Sequence, residues 1–313
     1  AAGTSHRLST IDLALSPSAL MQQTERARGT LTVDVASAGR PLARRVLPVE
    51  ILAATEWPGV DRVPELLAAF VTPNHPAVTA LLPAVATKME ELTGDGALDG
   101  YQSRDPQRAA HLAAAIYSVL QDRKIGYVNP PASFEKNGQK IRSHDQVLSG
   151  GLGTCLDLTV LLAALMEACG LHPVLVAVQG HAFPGLWLTE FTLKGPFHDD
   201  PLPLRKRVKL SEALVFDSSS VTRGVSFTAA CKTADRSLED AQAFRFVVDV
   251  RAARGTAVRP LPLAGAGDDL DLPLPEEERS SVGPETLLLN PIDASDPVLE
   301  RDRNRVERWK ERL

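Results

Sequence analysis

Residues 153–188, GTCLDLTVLLAALMEACGLHPVLVAVQGHAFPGLWL, decide how the whole chain is read. Leu158, Leu162, Leu165 and Cys169 recur at helical spacing and Gly170 follows as a stop, so the first part is a buried helix beginning near Cys155. Two strand-like runs follow on either side of Gln179-Gly180: 173–179 (PVLVAVQ) and 181–191 (HAFPGLWLTEF). A helix feeding directly into paired strands is the nucleus of an α+β fold.

The pattern extends in both directions. Upstream, Asp105-Pro106 is an N-cap followed by proline at the first helical position, and Leu112, Ile116, Val119 and Leu120 supply an apolar stripe. A loop rich in Pro and Gly (NPPASFEKNGQK) leads to SGGLGT, which reads as a flexible Gly-rich loop ahead of Cys155. Downstream lie two more strands, 213–217 (ALVFD) and FRFVVDV at 244–250, the latter with the alternation of a half-buried strand. Helices come first and a mostly antiparallel sheet second, so the expected class is α+β. The expected organisation is an N-terminal arm with a strand-like hairpin over 1–51, one compact domain over 52–263, an acidic, Pro-rich linker over 264–297, and a helix over 298–313. Asp296-Pro297 caps that last helix, whose thin stripe of Leu299, Val306, Trp309 and Leu313 suits a segment leading into a downstream region.

Composition narrows the function. At 313 residues the chain is about two domains long at roughly 150 residues each. A net charge of −5 argues against a dedicated nucleic-acid binder, whose footprint is basic. No run reaches the roughly 18 apolar residues of a membrane span, and no signal-peptide pattern opens the chain. Three cysteines do not make a disulfide framework. A cytoplasmic protein with free thiols and no membrane partner is the expectation; the first residue, Ala1, points to a trimmed chain.

Cys155 stands at the first turn of the central helix. Unpaired backbone N–H groups and the positive end of the helix dipole favour thiolate over thiol there, and the same N–H groups can bind a developing oxyanion. Taken alone, Cys155 reads more readily as a small core residue continuing the stripe. His181 opens the second strand, and a helix, a turn and one returning strand bring its ring back beside the helix start. Asp217 closes ALVFD just before Ser218-Ser219-Ser220, where a carboxylate can hold the ring and stabilise its imidazolium form. In that order Cys155, His181 and Asp217 form a nucleophile, a base and an orienter.

Other groups are assigned plainer parts. Asp157 is a favourable charge in the first helical turn. His172 and His198 are surface residues, Cys169 belongs to the core, and Cys231 has no assigned role. The basic run LRKRVK at 204–209 is a solvated loop. SGGLGT lacks the Lys-Ser/Thr ending of a phosphate-binding loop, and the cysteines lack zinc-site spacing, so no metal or cofactor is expected.

The 153–188 stretch resembles the transglutaminase-like branch of the papain-like cysteine peptidase superfamily. It is more similar still to a transglutaminase-like module of large bacterial proteins that precedes a superfamily-one helicase region. WPGVDRVPELLAAFVTPNHPAV, GYQSRDPQRAAHLAAAIYSVLQDRKIGYVNPPASFEKNGQKIRSHDQVL and FVVDVRAARGTAVRPLPL carry the rest of the likeness, with PPASF, GTCLDL and GHAF together as its most specific elements. The resemblance implies a papain-like core with the cysteine at a helix N-terminus and His and Asp on successive antiparallel strands. It implies an oxyanion side chain upstream of the nucleophile, for which Gln139 and Gln146 are candidates beside the Cys155 N–H. It also implies a peptide or protein substrate, a linked or associated helicase region, and an indirect nucleic-acid context through that region. The expectation is therefore a cysteine peptidase-like hydrolase acting through a thioester. The rival from another class is a non-catalytic peptide- or partner-binding module on the same fold.

Overall fold

A computed structural model describes residues 21–256 and 258–262. The expected linker, the expected terminal helix and the first twenty residues of the expected arm lie outside the described residues. The chain forms two compact units, one running to Glu56 and the other over Trp57–Leu261.

In the first unit, β1 (Ala27–Ser37) and β2 (Arg40–Ile51) form an antiparallel hairpin. Its register runs from Ala27 opposite Ile51 to Ser37 opposite Arg40, with a bulge at Val35/Ala36. Ala38 and Gly39 make the two-residue turn with φ of 46° and 77°, the positive pair that a tight hairpin twist demands.

The second unit is α+β. Its helical part comprises α1 (Pro76–Thr79), α2 (Leu82–Thr93) and α3 (Pro106–Asp122). The Asp105 side chain accepts from the Gln107 N–H at 2.9 Å and so caps α3. A two-residue strand β3 (Gly126–Tyr127), two short helices α4 (Phe134–Asn137) and α5 (His144–Gly150), and β4 (Leu152–Gly153) lead to the central helix α6 (Cys155–Ala168). Then come β5 (Pro173–Val178), β6 (His181–Trp187), β7 (Phe197–His198), α7 (Leu202–Lys209), β8 (Ala213–Val215), a 3-10 turn at Ser219–Arg223, α8 (Phe227–Glu239), β9 (Phe244–Asp249) and α9 (Val250–Gly255).

Five strands form one antiparallel sheet in the order β8-β6-β5-β9-β7. The strands alternate their side chains between two covered faces. Leu175, Ala177, Ala182, Leu186, Leu214 and Phe246 join the core that holds α6 and α3. Val174, Val176, Phe183, Trp187, Val215 and Val247 join Leu204 of α7 with Ala234 and Leu238 of α8 on the other face. The expected half-buried alternation of 244–250 is therefore wrong: β9 is buried along nearly its whole length because both faces of the sheet are roofed. The same enclosure explains α6, every residue of which from Cys155 to Met166 is buried. Sheet packs on one side of it and α1, α3 and α5 on others, so apolar residues all round are what the position requires.

Two smaller expectations are corrected. LRKRVK is not a loop but most of α7, with Leu204 buried and Arg207 stacked 4.3 Å from the Phe191 ring centroid. His172 and His198 are partly buried rather than surface residues; the His172 ring meets Tyr101 edge-on at 4.9 Å.

Candidate active site

The N-terminus of α6 is built by short-range hydrogen bonds. Thr154 is the N-cap: its hydroxyl accepts from the Asp157 N–H at 3.2 Å, and the Asp157 carboxylate accepts from the Thr154 N–H at 2.9 Å. This is a capping box with aspartate at the third position. Asp157 is fully buried and also accepts from the Arg142 backbone N–H at 2.9 Å and its guanidinium at 2.8 Å. Asp157 therefore does more than favour the helix dipole. It fastens the chain ahead of α5 to the first turn of α6.

The Gly-rich stretch before Cys155 is not a flexible loop. Leu152–Gly153 pairs in parallel with Gly126–Tyr127. Gly126 donates to the Gly151 carbonyl at 2.7 Å and Val128 to the Gly153 carbonyl at 2.9 Å. Two glutamines entered as oxyanion candidates, and the structure separates them. Gln139 is buried, and its amide donates to the Thr154 hydroxyl at 3.1 Å, one residue from Cys155. Gln146 is exposed, and its side-chain carbonyl accepts from the Ser143 N–H at 3.1 Å as the capping box of α5. The structure thus engages Gln146 in its own helix start.

His181 begins β6 opposite Val178, next to the Gln179-Gly180 turn that closes the β5/β6 hairpin. Its Nε2 lies 2.5 Å from Asp217 Oδ1. The Cys155 thiol is the other group whose hydrogen bonding and charge act on the imidazole. Burial alone would lower the pKa of this ring. The hydrogen bonds to Asp217 and Cys155, with their negative charge, outweigh it and raise the value to about 9. The structure thus brings Cys155, His181 and Asp217 together.

Asp217, where the sequence pattern places the strand end, lies two residues past Val215, the last residue of β8. Its neighbours hold it there: the Phe216 N–H donates to the Pro184 carbonyl and the Asp217 N–H to the Ala230 carbonyl, both at 3.1 Å. Burial pushes the carboxyl up, but His181, Ser220 and Ser219 hold it well below the usual carboxylate range. Ser219 donates at 3.0 Å, Ser220 donates to the same oxygen, and Arg223 reaches it at 3.2 Å. Ser218 acts elsewhere. Its hydroxyl lies 2.8 Å from the Ala182 carbonyl and 3.2 Å from the Cys155 carbonyl, joining the start of α6 to the strand that carries His181.

Cys155 has no exposed surface. Tyr127, 37% exposed, stands in β3 opposite Gly153, two residues before Cys155, and burial followed by the charge of Cys155 pushes its phenol up. Sequence reasoning did not single out Tyr127 or the three serines. The run Ser218-Ser219-Ser220 beside an acid was a legible signal for a hydroxyl cage, whereas nothing around Tyr127 marks it. The remaining thiols differ sharply. Burial pushes Cys169 up to about 12, and burial with the charge of Asp235 pushes Cys231 higher still.

Among the described residues no helix is long and apolar enough to cross a membrane. No family model matches the chain, and no curated protein matches it. A crystal structure of a candidate protease from Parabacteroides distasonis is 15% identical over 63% of this chain, with a TM-score of 0.24. The chain spans 41% of that protein, and a likeness so slight carries no argument about fold or chemistry.

Proposed function

We propose that the chain is a cysteine-dependent amide-bond hydrolase of papain-like, transglutaminase-like architecture, acting on a peptide or protein. The observation that carries this reading is the His181 ring held between the Cys155 thiol and the Asp217 carboxylate, with a pKa of about 9. At neutral pH such an imidazole keeps its proton, which favours an imidazolium–thiolate pair.

Because Asp217 occupies Nε2, Nδ1 is the nitrogen that serves the sulfur. The Cys155 sulfur adds to the scissile carbonyl carbon and the C=O π pair moves to oxygen. The Cys155 N–H at the positive end of α6 stabilises that oxyanion. Collapse breaks the C–N bond as Nδ1–H passes its proton to the leaving amine, which leaves a thioester. Neutral His181 then takes a proton from water, the hydroxide adds to the thioester, and the thiolate leaves with the acid product. Asp217 holds the ring through both proton transfers. The resemblance to helicase-linked modules makes a helicase region the proposed covalent or associated partner.

The full burial of Cys155 favours a second reading, a binding module on the same scaffold whose thiol never meets a substrate. One measurement separates the two. Iodoacetamide at neutral pH, followed by mass mapping, should label Cys155 ahead of Cys169 and Cys231. Labelling of Cys231 first, or of all three together, means the binding-module reading stands.

A further inference from the structure

The β1/β2 hairpin is a two-stranded sheet of its own, and two strands alone are marginal in water. Its two outer edges differ. In β2, Pro41 stands opposite Ala36 and Pro48 opposite Thr30. Neither proline has an N–H to give, so the ladder bonds of the hairpin run through the odd-numbered residues of β1. Ser37 opposite Arg40, the pair that flanks the two-residue turn, fits that parity. Both prolines therefore turn their nitrogens to the outer edge of β2 and block it. β1 contains no proline. Its even-numbered residues, Arg28, Thr30, Thr32 and Asp34, turn N–H and C=O outward, and among the described residues no strand pairs with that edge.

The open edge is complementary to itself. An antiparallel pairing of β1 with β1 of a second copy, centred on Leu31, sets Thr30 opposite the partner's Thr32 and Arg28 opposite the partner's Asp34. Each match occurs twice by symmetry, and each joins outward-facing residues that can exchange both backbone hydrogen bonds. The hairpin's own register carries the charge order further. Arg44 stands opposite Asp34 as an ion pair at 3.5 Å, and Glu50 stands opposite Arg28. Across the strands the row then reads Arg44, Asp34, the partner's Arg28, the partner's Glu50, alternating in sign throughout. Directly opposed charges of opposite sign stabilise a sheet and like charges destabilise it. Centring the pairing on Thr30 or Thr32 instead loses these charge pairs. On the other face Leu31 meets the partner's Leu31, and the exposed Val33, Val35, Leu47 and Ile51 of both copies join one apolar face. We infer that the outer edge of β1 is an association surface whose partner is a second copy of this chain, the two hairpins joining about Leu31 into one four-stranded antiparallel sheet. The inference is independent of the chemistry at Cys155.

Sedimentation equilibrium on the full chain tests it with two charge reversals, Arg28→Glu and Asp34→Arg. The wild type should dimerise. By itself, Arg28→Glu brings two acids together at each end of the pairing, and Asp34→Arg brings two bases together. Each variant alone should dimerise at least about tenfold more weakly than the wild type. Mixed in equal amounts, with one of them fluorescently labelled, the two variants set opposite charges at both ends again, and a dimer of one with the other should form. A hairpin that merely failed to fold would not be repaired by mixing. Thr32→Pro, which removes an outward donor and leaves the β1/β2 ladder its bonds, should weaken the dimer as well. A wild type that stays monomeric up to about 100 μM, single variants as tight as the wild type, a mixture no tighter than its components, or a Thr32→Pro dimer of undiminished affinity would each overturn the inference.

Discussion

His181 Nε2 and Asp217 Oδ1 are 2.5 Å apart, and that contact sets which ring nitrogen is left for Cys155. Asp217 has a further oxygen engaged by Ser219, Ser220 and Arg223, so its orientation toward the ring is held by groups independent of the ring itself.

Replacing Asp217 by Asn removes the charge that offsets the burial of His181. With only Cys155 left to oppose burial, the His181 titration should fall from about 9, as followed by NMR of the ring protons. The raised folded value means that the pair contributes stability in full below pH 6.5 and loses it as pH rises through 9. That alkaline loss should shrink in the variant. Turnover of an amide should fall between about 10²- and 10⁴-fold. An unshifted titration would show that Asp217 does not govern the ring.

Ser218→Ala tests positioning without touching the reacting groups. Loss of a hydroxyl shared between the Cys155 and Ala182 carbonyls should cost about 1 kcal/mol of stability. Because the two carbonyls belong to the elements carrying Cys155 and His181, acylation of Cys155 should slow by about 10- to 100-fold. Unchanged acylation alongside the stability loss would make Ser218 a purely structural residue.

Cys155→Ala should fold almost normally. The side chain is buried but small, and its place is a helix end, so a loss of about 1–2 kcal/mol in urea denaturation is the upper expectation. Acylation by p-nitrophenyl acetate should vanish.

His144 supplies an acid sensitivity unrelated to catalysis. It is buried at the start of α5, neither ring nitrogen has a partner, and the His75 ring lies 5.5 Å away. Burial first, and His75 second, push its pKa down to about 3. Between pH 6.5 and 3 the unfolded chain binds the proton and the folded one does not, so stability rises with pH across that window. Lowering pH from 6.5 to 4.5 should cost up to about 2–3 kcal/mol through this group. His144→Leu should flatten that part of the stability profile; an equally steep profile would assign the acid loss to other groups.

Asp157→Ala should be the most damaging substitution near the site. It strips a buried carboxylate that serves the Thr154 N–H, the Arg142 N–H and the Arg142 guanidinium. Arg142 is 40% exposed and can turn to water, which moderates the cost. About 2–3 kcal/mol is expected, chiefly from unsatisfied backbone N–H groups and the lost cap, with a lower urea midpoint as the measured sign.

Local order was legible in the residues themselves. The helical spacing of Leu158, Leu162 and Leu165, the Asp105-Pro106 start, and the β-branched and aromatic runs around Gly180 each depend on neighbours a few positions away. That is the range over which backbone geometry and side-chain period act. The α+β order and the placing of Cys155 at a helix start follow from them. Other features depended on which surfaces meet, and no local period records that. β9 is buried on both faces because α7 and α8 roof a sheet whose other face rests on α6. Gln146 caps its own helix, its side-chain carbonyl accepting from the Ser143 N–H three residues back. SGGLGT is ordered because Gly126 and Val128, distant in sequence, pair with it. Tyr127 comes to stand opposite Gly153, two residues before Cys155, by that same long-range pairing, and hydrogen bonds between remote strands leave no trace in the order of residues along either one.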